Sequence, residues 1–470
     1  MTTGRNRERG RAARRARGLA GLLLAAALLA MAAGCGGRGD GDKSAAGKSA
    51  AGKSGAGGPG ADRSGGHKGP APSKLLVIGI DSADWRLLDP MLAEGRLPHL
   101  KAFRAQAASG RMQTLYPLEK SPVLWASICT GVMPAVHGVD NFVKGSGQKP
   151  VTSSAWRAPA LWDILGAAGR GTFVGGMWMT YPARAIDGVM VSDYLPYGRE
   201  RARPLQGLVY PDSLADLVVG CRVDPQSFTP ADLARFLPPG TDVAALEKAH
   251  PQEMLELRET WAADLGYLAV ARSLRDLPVD LFFFYLRGPD MISHHFYGYH
   301  TLDPAMWRGD PAELAAFRDL VPRYYDWVDE AVGEVLSWFP PDHPAVIVSD
   351  HGFYGPRPEG KGTVEHSEWG IFLVRSPLYA AGAAFGHLKL MDIGPTLLAL
   401  LGLPPARDMP GVVLAEATTP AGRDRLAHVE KHRVESYLAL RPAAEAAKGE
   451  ADDRVEEEIR RQLRSLGYIK

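Results

Sequence analysis

Short runs of almost only apolar residues, separated by longer helical patterns, most constrain the fold of this chain. Such runs lie at Leu75–Ile80, Thr172–Gly175, 189–191, Leu281–Leu286, Ala345–Val348 and 370–374. A strand that is apolar at nearly every position is typical of a parallel sheet buried on both faces. Helical patterns, such as those at 160–168 and 324–338, lie between the runs. The alternation predicts an α/β fold whose central, mainly parallel sheet is covered by helices on both faces.

Two segments depart from this alternation. Residues 197–277 are helical in pattern and punctuated by proline, which predicts a helical cap inserted into the fold. Residues 416–470 are charged and predict a helical C-terminal tail. The catalytic core is therefore expected to comprise 74–196 and 278–415.

The N-terminal segment has the pattern of an export signal. An arginine-rich stretch precedes an apolar run at 19–33, which is shorter than the roughly 20 residues of a membrane-spanning helix. The run ends in Ala-Ala-Gly-Cys, which resembles a bacterial lipoprotein signal, so residues 1–35 are expected to be a signal with lipidation at Cys35. A plain cleaved signal and an uncleaved anchor are the alternatives. We expect an exported protein, held to a membrane in the cell envelope and facing outside the cytoplasm.

The next residues, 36–73, consist mainly of Gly, Ser, Ala and Lys. Such a low-complexity tract cannot bury apolar surface and predicts a flexible tether. The whole chain has a formal net charge of +1, which gives no indication of a nucleic-acid partner. Besides Cys35, only Cys129 and Cys221 are present. They could pair in an oxidising compartment, or Cys129 could be a buried core thiol.

The residues that follow the predicted strands are candidate ligands, because α/β sheets bind ligands at the carboxyl ends of their strands. Six aspartates and histidines stand out: Asp81, Asp290, His294, Asp350, His351 and His366. Each alone could be a turn residue or helix cap, but together they form the nitrogen and oxygen donor set of a zinc-type site. His366 precedes the strand at 370–374, so a loop is expected to bring it to the site.

Ser121 is the candidate nucleophile. It is predicted to be a helix N-cap, with Pro122 at the first helical position and Gly131 ending the helix. The positive end of the helix dipole would favour an alkoxide and a bound phosphate there. A serine that only caps the helix is the alternative. The sequence shows no Ser-His-Asp arrangement, so metal coordination would have to lower the pKa of this hydroxyl.

These motifs resemble the alkaline phosphatase superfamily, closest to its type I phosphodiesterase/nucleotide pyrophosphatase branch. The resemblance spans residues 74–414 and rests on five stretches: Val77-Ile78-Gly79-Ile80-Asp81, Lys120-Ser121-Pro122 through His137-Gly138, Pro289-Asp290 to His294, Ser349-Asp350-His351-Gly352 with His366, and Asp392-Ile393-Gly394-Pro395-Thr396. It implies two divalent ions, with zinc favoured and manganese as the alternative. The first would be bound by Asp81, Ser121, Asp350 and His351, and the second by Asp290, His294 and His366.

The resemblance also implies a catalytic role for two residues. Ser121 would attack phosphorus and form a phosphoseryl intermediate, and Asn141 would bind the phosphate, although a loop asparagine has many structural uses. Sulfatase activity is disfavoured, because Pro122 directly follows the nucleophile and Trp125 replaces an expected arginine.

The sequence therefore predicts an extracytoplasmic hydrolase that acts on a phosphate ester of unknown identity. Pro122 also stands where nucleotide-specific relatives place an aromatic residue, so no nucleotide substrate is inferred. A phosphotransferase acting on envelope lipids or glycans, and a non-catalytic envelope binding protein with the same fold, are the alternatives.

Overall fold

The computed structural model describes residues 74–199, 205–354, 365–440 and 451–469. The predicted signal with Cys35 and the predicted tether lie outside the described residues. Within the described ranges, no helix is both long enough and apolar enough to cross a membrane.

An eight-stranded sheet forms the centre of the fold, in the order β2-β12-β9-β1-β8-β5-β6-β7. Its strands are β1 (Leu75–Ile80), β2 (Ala108–Gln113), β5 (Thr172–Gly175), β6 (Gly188–Val191), β7 (Val209–Tyr210), β8 (Leu281–Leu286), β9 (Ala345–Val348) and β12 (Trp369–Arg375). Two small hairpins pair β3 (Val143–Lys144) with β4 (Lys149–Pro150) and β10 (Gly352–Tyr354) with β11 (Glu365–Ser367).

The five central strands, β9, β1, β8, β5 and β6, run parallel, whereas β12, β2 and β7 are antiparallel to their neighbours. Every residue of β1 and β8 is buried, as expected for strands covered on both faces. The predicted α/β fold with a mainly parallel sheet is confirmed.

The helices follow most strands and supply the cover of the sheet. In chain order they are α1 (Trp85–Ala93), α2 (Pro98–Gln106), α3 (Ser121–Thr130), α4 (Pro134–His137), α5 (Leu161–Ala167), α6 (Ala215–Gly220), α7 (Pro230–Leu233), α8 (Val243–Ala249), α9 (Pro251–Ser273), α10 (Gly288–Thr301), α11 (Pro311–Phe317), α12 (Leu320–Ser337), α13 (Leu390–Leu400), α14 (Pro420–Lys431) and α15 (Asp453–Ser465).

β12 runs in the opposite direction from the one expected when His366 was placed at the far end of this strand. The predicted strand is present, but it runs antiparallel to β9. The amino end of β12 therefore lies beside the carboxyl ends of the parallel strands. The assumption that the amino end of this strand lies away from the site was wrong, because an apolar pattern does not reveal strand direction.

The region 197–277, predicted as a cap, contributes to the sheet as well as to the helical layer. β7 pairs with β6 at the edge of the sheet, and the long helix α9 packs against β8 and α10. The domain boundaries proposed from the sequence remain predictions.

A close contact between β1 and α3 fixes the base of the site. A Cβ atom at Gly79 would lie 2.8 Å from the Trp125 ring and 3.0 Å from the Tyr285 ring. The two rings meet edge to face with centroids 4.9 Å apart. Since a side chain at Gly79 would force these buried rings to shift, this glycine lets α3 pack directly on the strand that ends at Asp81.

Candidate metal centre and nucleophile

The structure brings the six predicted ligand residues together as two groups of three. One group comprises Asp81, Asp350 and His351, and the other comprises Asp290, His294 and His366. In each group, one ligand atom from every residue lies within 4.8 Å of the other two. Each group could therefore hold a metal ion.

The two groups lie side by side. His351 Nε2 of the first group is 3.8 Å from Asp290 Oδ1 of the second. The rings of His351 and His366 stack with centroids 3.8 Å apart. This arrangement gives two adjacent candidate cation sites at the carboxyl edge of the sheet, the place expected for ligand binding in an α/β fold.

Local structure explains how the second group forms. Asp290 and His294 lie on α10, which begins directly after β8, and a spacing of four residues places both on one face of a helix. His366 lies on β11 and is the register partner of Phe353 on β10. The β10–β11 hairpin follows Asp350 at the end of β9, so it holds His366 beside the first group.

The buried aspartates of the site lack cationic partners among the described residues. Asp81, Asp290 and Asp350 are each at most 2% exposed, and in the described part of the chain none forms an ion pair with a lysine or arginine. Burial, together with the charge of Asp81, raises the pKa of Asp290 and of Asp350 well above the usual range. Buried carboxylates are stable only when paired with a cation or when protonated.

The histidines and the free carboxylate oxygens fit the same interpretation. Burial lowers the pKa of His294 and of His366 well below its ordinary value, which keeps both imidazoles neutral and able to coordinate a metal. Asp290 Oδ1 and Asp350 Oδ2 are buried without a hydrogen bond from any described residue. The donor set therefore suits divalent ions of the zinc type.

Outer residues orient the first group. Asp81 Oδ2 accepts hydrogen bonds from the hydroxyl of Tyr285 and from Trp178 Nε1, the latter at 3.3 Å. His351 Nδ1 lies 3.1 Å from the carbonyl oxygen of Gly352, which leaves Nε2 facing the site. Neither Tyr285 nor Trp178 was predicted from the sequence. Tyr285 could have been noticed in the sequence, because its hydroxyl is the one polar side-chain group in the apolar strand β8.

Ser121 lies at the edge of the first group. Its Oγ is 3.0 Å from His351 Nε2 and 3.4 Å from Asp81 Oδ1, and the residue is fully buried. Lys120, not Ser121, is the N-cap of α3, so the predicted cap position was wrong by one residue. Ser121 is the first helical residue, and its hydroxyl points to the ligand group instead of capping a backbone N–H.

Asn141 is linked to Lys120, the residue before Ser121. Lys120 Nζ donates to Asn141 Oδ1 over 2.9 Å, and the backbone N–H of Phe142 donates to the same oxygen over 2.8 Å. Partial burial lowers the pKa of Lys120. The interaction places an amide and a cation next to α3, but the phosphate-binding role of Asn141 stays a prediction.

Both cysteines within the described residues are free thiols, Cys129 buried and Cys221 partly exposed. The pairing that the sequence left open is therefore not present. Burial raises the pKa of the Cys129 thiol, which makes it an unreactive part of the core.

Tyr468, three positions after the end of α15, reaches the second group from the C-terminal tail. Its hydroxyl oxygen lies 2.7 Å from His294 Nε2 and 3.2 Å from His366 Nε2. Its ring packs on Phe142 with centroids 4.4 Å apart. No site residue was predicted in the tail, because neither spacing nor strand position connects Tyr468 with residues more than 100 positions earlier.

Comparisons with known proteins identify the family of this chain. The family model for type I phosphodiesterase / nucleotide pyrophosphatase matches residues 75–371. No curated protein shows a significant match. Human ectonucleotide pyrophosphatase / phosphodiesterase 5 is 12% identical, with a TM-score of 0.43 over 75% of this chain and 100% of that chain. A phosphonate monoester hydrolase from Silicibacter pomeroyi is 18% identical, with a TM-score of 0.43 over 73% of this chain and 76% of that chain.

The family match covers more than half of the chain and contains all six aspartates and histidines of the two groups, as well as Ser121. The chain therefore belongs to the type I phosphodiesterase / nucleotide pyrophosphatase family, whose members are metal-dependent hydrolases of phosphoric esters.

Proposed function

We propose that this protein is an extracytoplasmic hydrolase of phosphate esters that uses Ser121 as its nucleophile and two divalent ions, zinc being favoured over manganese. The observation that carries the proposal is the position of Ser121. Its hydroxyl lies within 3.4 Å of two residues of the first group, while the second group adjoins the first. A serine and two cation sites in contact match the requirements of an in-line displacement at phosphorus.

Asp81, Asp350 and His351 would hold one ion together with Ser121, and Asp290, His294 and His366 would hold the other. Bound ions of this kind supply positive charge that favours the ionised nucleophile and stabilises the oxygens of the transferring phosphoryl group. The three buried carboxylates would then have the counter-charges that they lack among the described side chains.

The reaction would take place in two displacements. Ser121 Oγ loses its proton and forms a bond to phosphorus, while the bond from phosphorus to the leaving oxygen breaks and that oxygen takes up a proton. Water then attacks the phosphoseryl group, which releases phosphate or its monoester and returns the proton to Ser121 Oγ. Each displacement inverts the configuration at phosphorus, so the overall reaction retains it.

The surroundings of Ser121 support the binding of an anion. Ser121 is the first residue of α3, where the backbone N–H groups and the helix dipole favour negative charge. Lys120 adds a cation, and its hydrogen bond holds Asn141 nearby. We propose that the amide of Asn141 donates to a non-bridging phosphate oxygen.

The class of ester can be tested directly. The purified zinc-loaded protein would be assayed against matched aryl phosphate diesters, phosphate monoesters and sulfate esters with the same leaving group. We expect kcat/KM for the diester to exceed that for the monoester by at least about tenfold, as in an enzyme built for one class of ester. A monoester preference would make the protein a phosphatase, and sulfate hydrolysis would contradict the proposal. Cleavage only after adding an acceptor alcohol would favour a phosphotransferase.

We also propose that the protein is exported and attached to a membrane through a lipid on Cys35, as the signal-like pattern at 1–35 supports. In a bacterial host fed a radiolabelled fatty acid, the wild-type chain should carry the label and sediment with membranes. Cys35→Ser should lose the label and leave the membrane fraction. Label that persists in Cys35→Ser would contradict lipidation at this residue, and Cys221→Ser is the matched control.

A further inference from the structure

We propose that Tyr468 is the fourth protein ligand of the second cation site, so that the C-terminal tail completes the metal centre. This inference rests on the proposed function, because it presupposes that Asp290, His294 and His366 hold an ion. It assigns a role to a part of the chain, residues 451–469, that lies beyond the region matched by the family model.

The distances among the donor atoms of four residues carry the inference. His294 Nε2 lies 3.0 Å from His366 Nε2, and each lies 3.6 Å from Asp290 Oδ1. The Tyr468 hydroxyl oxygen lies 2.7, 3.2 and 3.4 Å from His294 Nε2, His366 Nε2 and Asp290 Oδ2, respectively. Four nitrogen and oxygen ligands at about 2.0–2.1 Å from a tetrahedral ion stand about 3.3 Å apart. The donor atoms of the four residues therefore lie at separations close to those of a tetrahedral ligand set, with Asp290 facing the two histidines through Oδ1 and Tyr468 through Oδ2.

The chemistry of the phenol oxygen agrees with this position. Tyrosine oxygen is an established protein ligand of metal ions, and oxygen donors suit zinc and manganese alike. An ordinary hydrogen bond from Tyr468 to His294 would not explain why the oxygen is also close to His366 and Asp290. Three ligand residues converge on this oxygen, whereas one would suffice to satisfy a hydroxyl group.

The tail is docked by contacts that are independent of the site. Four apolar residues of the tail are buried: Val455, Ile459, Leu463 and Leu466. Two polar contacts tie α15 to the rest of the fold, since the Gly198 N–H donates to Glu458 over 2.8 Å and Arg461 pairs with Glu259 at 3.0 Å. The position of Tyr468 therefore follows from the packing of a whole helix.

The end of α15 directs Tyr468 inward. Gly467 has a φ of 77°, a left-handed conformation that glycine adopts without strain. The Tyr468 N–H donates to the Leu463 carbonyl over 2.9 Å, which closes the helix in the manner of a Schellman motif. This turn sends the chain away from the helix axis, and the Tyr468 side chain reaches the second group.

The test measures metal binding instead of activity. Wild-type protein, Tyr468→Phe and Tyr468→His would be stripped of metal and titrated with Zn²⁺ against a competing chelator. We expect two bound ions in the wild type. In Tyr468→Phe, the affinity for one ion should fall by about 10- to 100-fold, and the affinity for the other ion should not change. A loss of this size is known even for residues that only hydrogen-bond to metal ligands. Tyr468→His supplies a nitrogen donor and should recover much of the loss.

Spectroscopy separates a ligand from a packing residue. With Co²⁺ in place of Zn²⁺, Tyr468→Phe should change the visible bands of one bound ion, because the number and type of its ligands change. The phenylalanine keeps the ring that packs on Phe142, so the unfolding temperature of the metal-free protein should stay close to that of the wild type. Tyr437→Phe is the matched control, since its hydroxyl donates to the Pro404 carbonyl and not to a ligand group.

Two results would overturn the inference, and they have different meanings. If Tyr468→Phe binds both ions with wild-type affinity and unchanged Co²⁺ bands, Tyr468 only packs against the site, and the proposed function stands. If the wild type itself binds no second ion, the two-metal proposal has failed and the ligand assignment falls with it. Selective loss in Tyr468→Phe with recovery in Tyr468→His supports the inference even if the phenylalanine variant is less stable.

Discussion

Replacing Ser121 by alanine is expected to lower kcat for phosphate-ester cleavage by at least about 10³-fold, equivalent to about 4 kcal/mol of transition-state stabilisation. The Ser121 hydroxyl lies beside the first group, within 3.4 Å of His351 and Asp81. Alanine removes the proposed nucleophile and one proposed ligand of the first ion, but it leaves all six aspartates and histidines in place, so both ions should still bind when Zn²⁺ is in excess. Steady-state kinetics together with the metal content of the same preparation would measure both effects.

A matched control lies on the same helix. Ser127 is also fully buried on α3, but its hydroxyl donates to the Val123 carbonyl and contacts His137 instead of the ligand groups. Ser127→Ala should therefore keep most of the activity. A second check is trapping of a phosphorylated serine after rapid acid quench, which wild type should show and Ser121→Ala should not. Substantial turnover in Ser121→Ala would mean that water attacks phosphorus directly, and the nucleophile assignment would be wrong.

Asp350→Asn is expected to weaken the binding of one ion by at least about 100-fold and to reduce kcat by about 10³-fold. Asp350 follows β9 and belongs to the first group. Its Oδ2 atom has no hydrogen-bond partner among the described residues. Asparagine keeps the size of the residue and an oxygen that can accept the Ser82 N–H, but it removes the charge. Equilibrium titration with Zn²⁺ and steady-state kinetics would test the two parts of the prediction.

Unfolding temperatures measured with and without Zn²⁺ distinguish a metal ligand from a residue that stabilises the fold. In metal-free protein, the pKa of Asp350 is raised by burial and by the charge of Asp81, so the ionised carboxylate disfavours the folded state at neutral pH. Removing that charge should leave the unfolding temperature of the metal-free protein unchanged or higher. The same substitution should lower the unfolding temperature when Zn²⁺ is present, because less binding energy is gained.

Asp193→Asn provides the comparison for Asp350→Asn. Asp193 is a buried aspartate after β6 that accepts backbone N–H groups of Met179 and Tyr181, and it belongs to neither ligand group. Its substitution should reduce the stability of the metal-free protein but preserve both ions. Full metal content and full kcat in Asp350→Asn would refute the assignment of Asp350 as a ligand.

Much of the fold could be read from local sequence because the central strands are buried on both faces. Such strands must be apolar at nearly every position, so the runs Leu75–Ile80, Leu281–Leu286 and Ala345–Val348 were predicted with the bounds that the structure has. The edge strand β2 was missed. Its sequence, Ala-Ser-Gly-Arg-Met-Gln, is partly exposed in the structure and lacks the apolar pattern. Edge strands need less burial, and their sequences carry a weaker signal.

The ligand groups were partly predictable for a related reason. Parallel strands share one carboxyl edge, so residues that follow them, such as Asp81, Asp290 and Asp350, must come near one another once the strands pair. The division of these residues into two groups of three was implied only by resemblance to a family. The distances within and between the groups could not be predicted without the order in which the strands pair. His366 shows the limit, since its approach depends on the antiparallel direction of β12.

The sequence alone determined the α/β class, the strand-end aspartates and histidines, and the helix near Ser121 to within one residue of its start, because each depends on local pattern or on a rule of sheet topology. Tertiary structure alone decided three features: the stacking of His351 on His366, the hydrogen bond of Tyr285 to Asp81, and the approach of Tyr468 to the second group. These contacts join segments that are distant in the chain. Their geometry comes from the packing of helices and strands against one another, and no local pattern of residues encodes it.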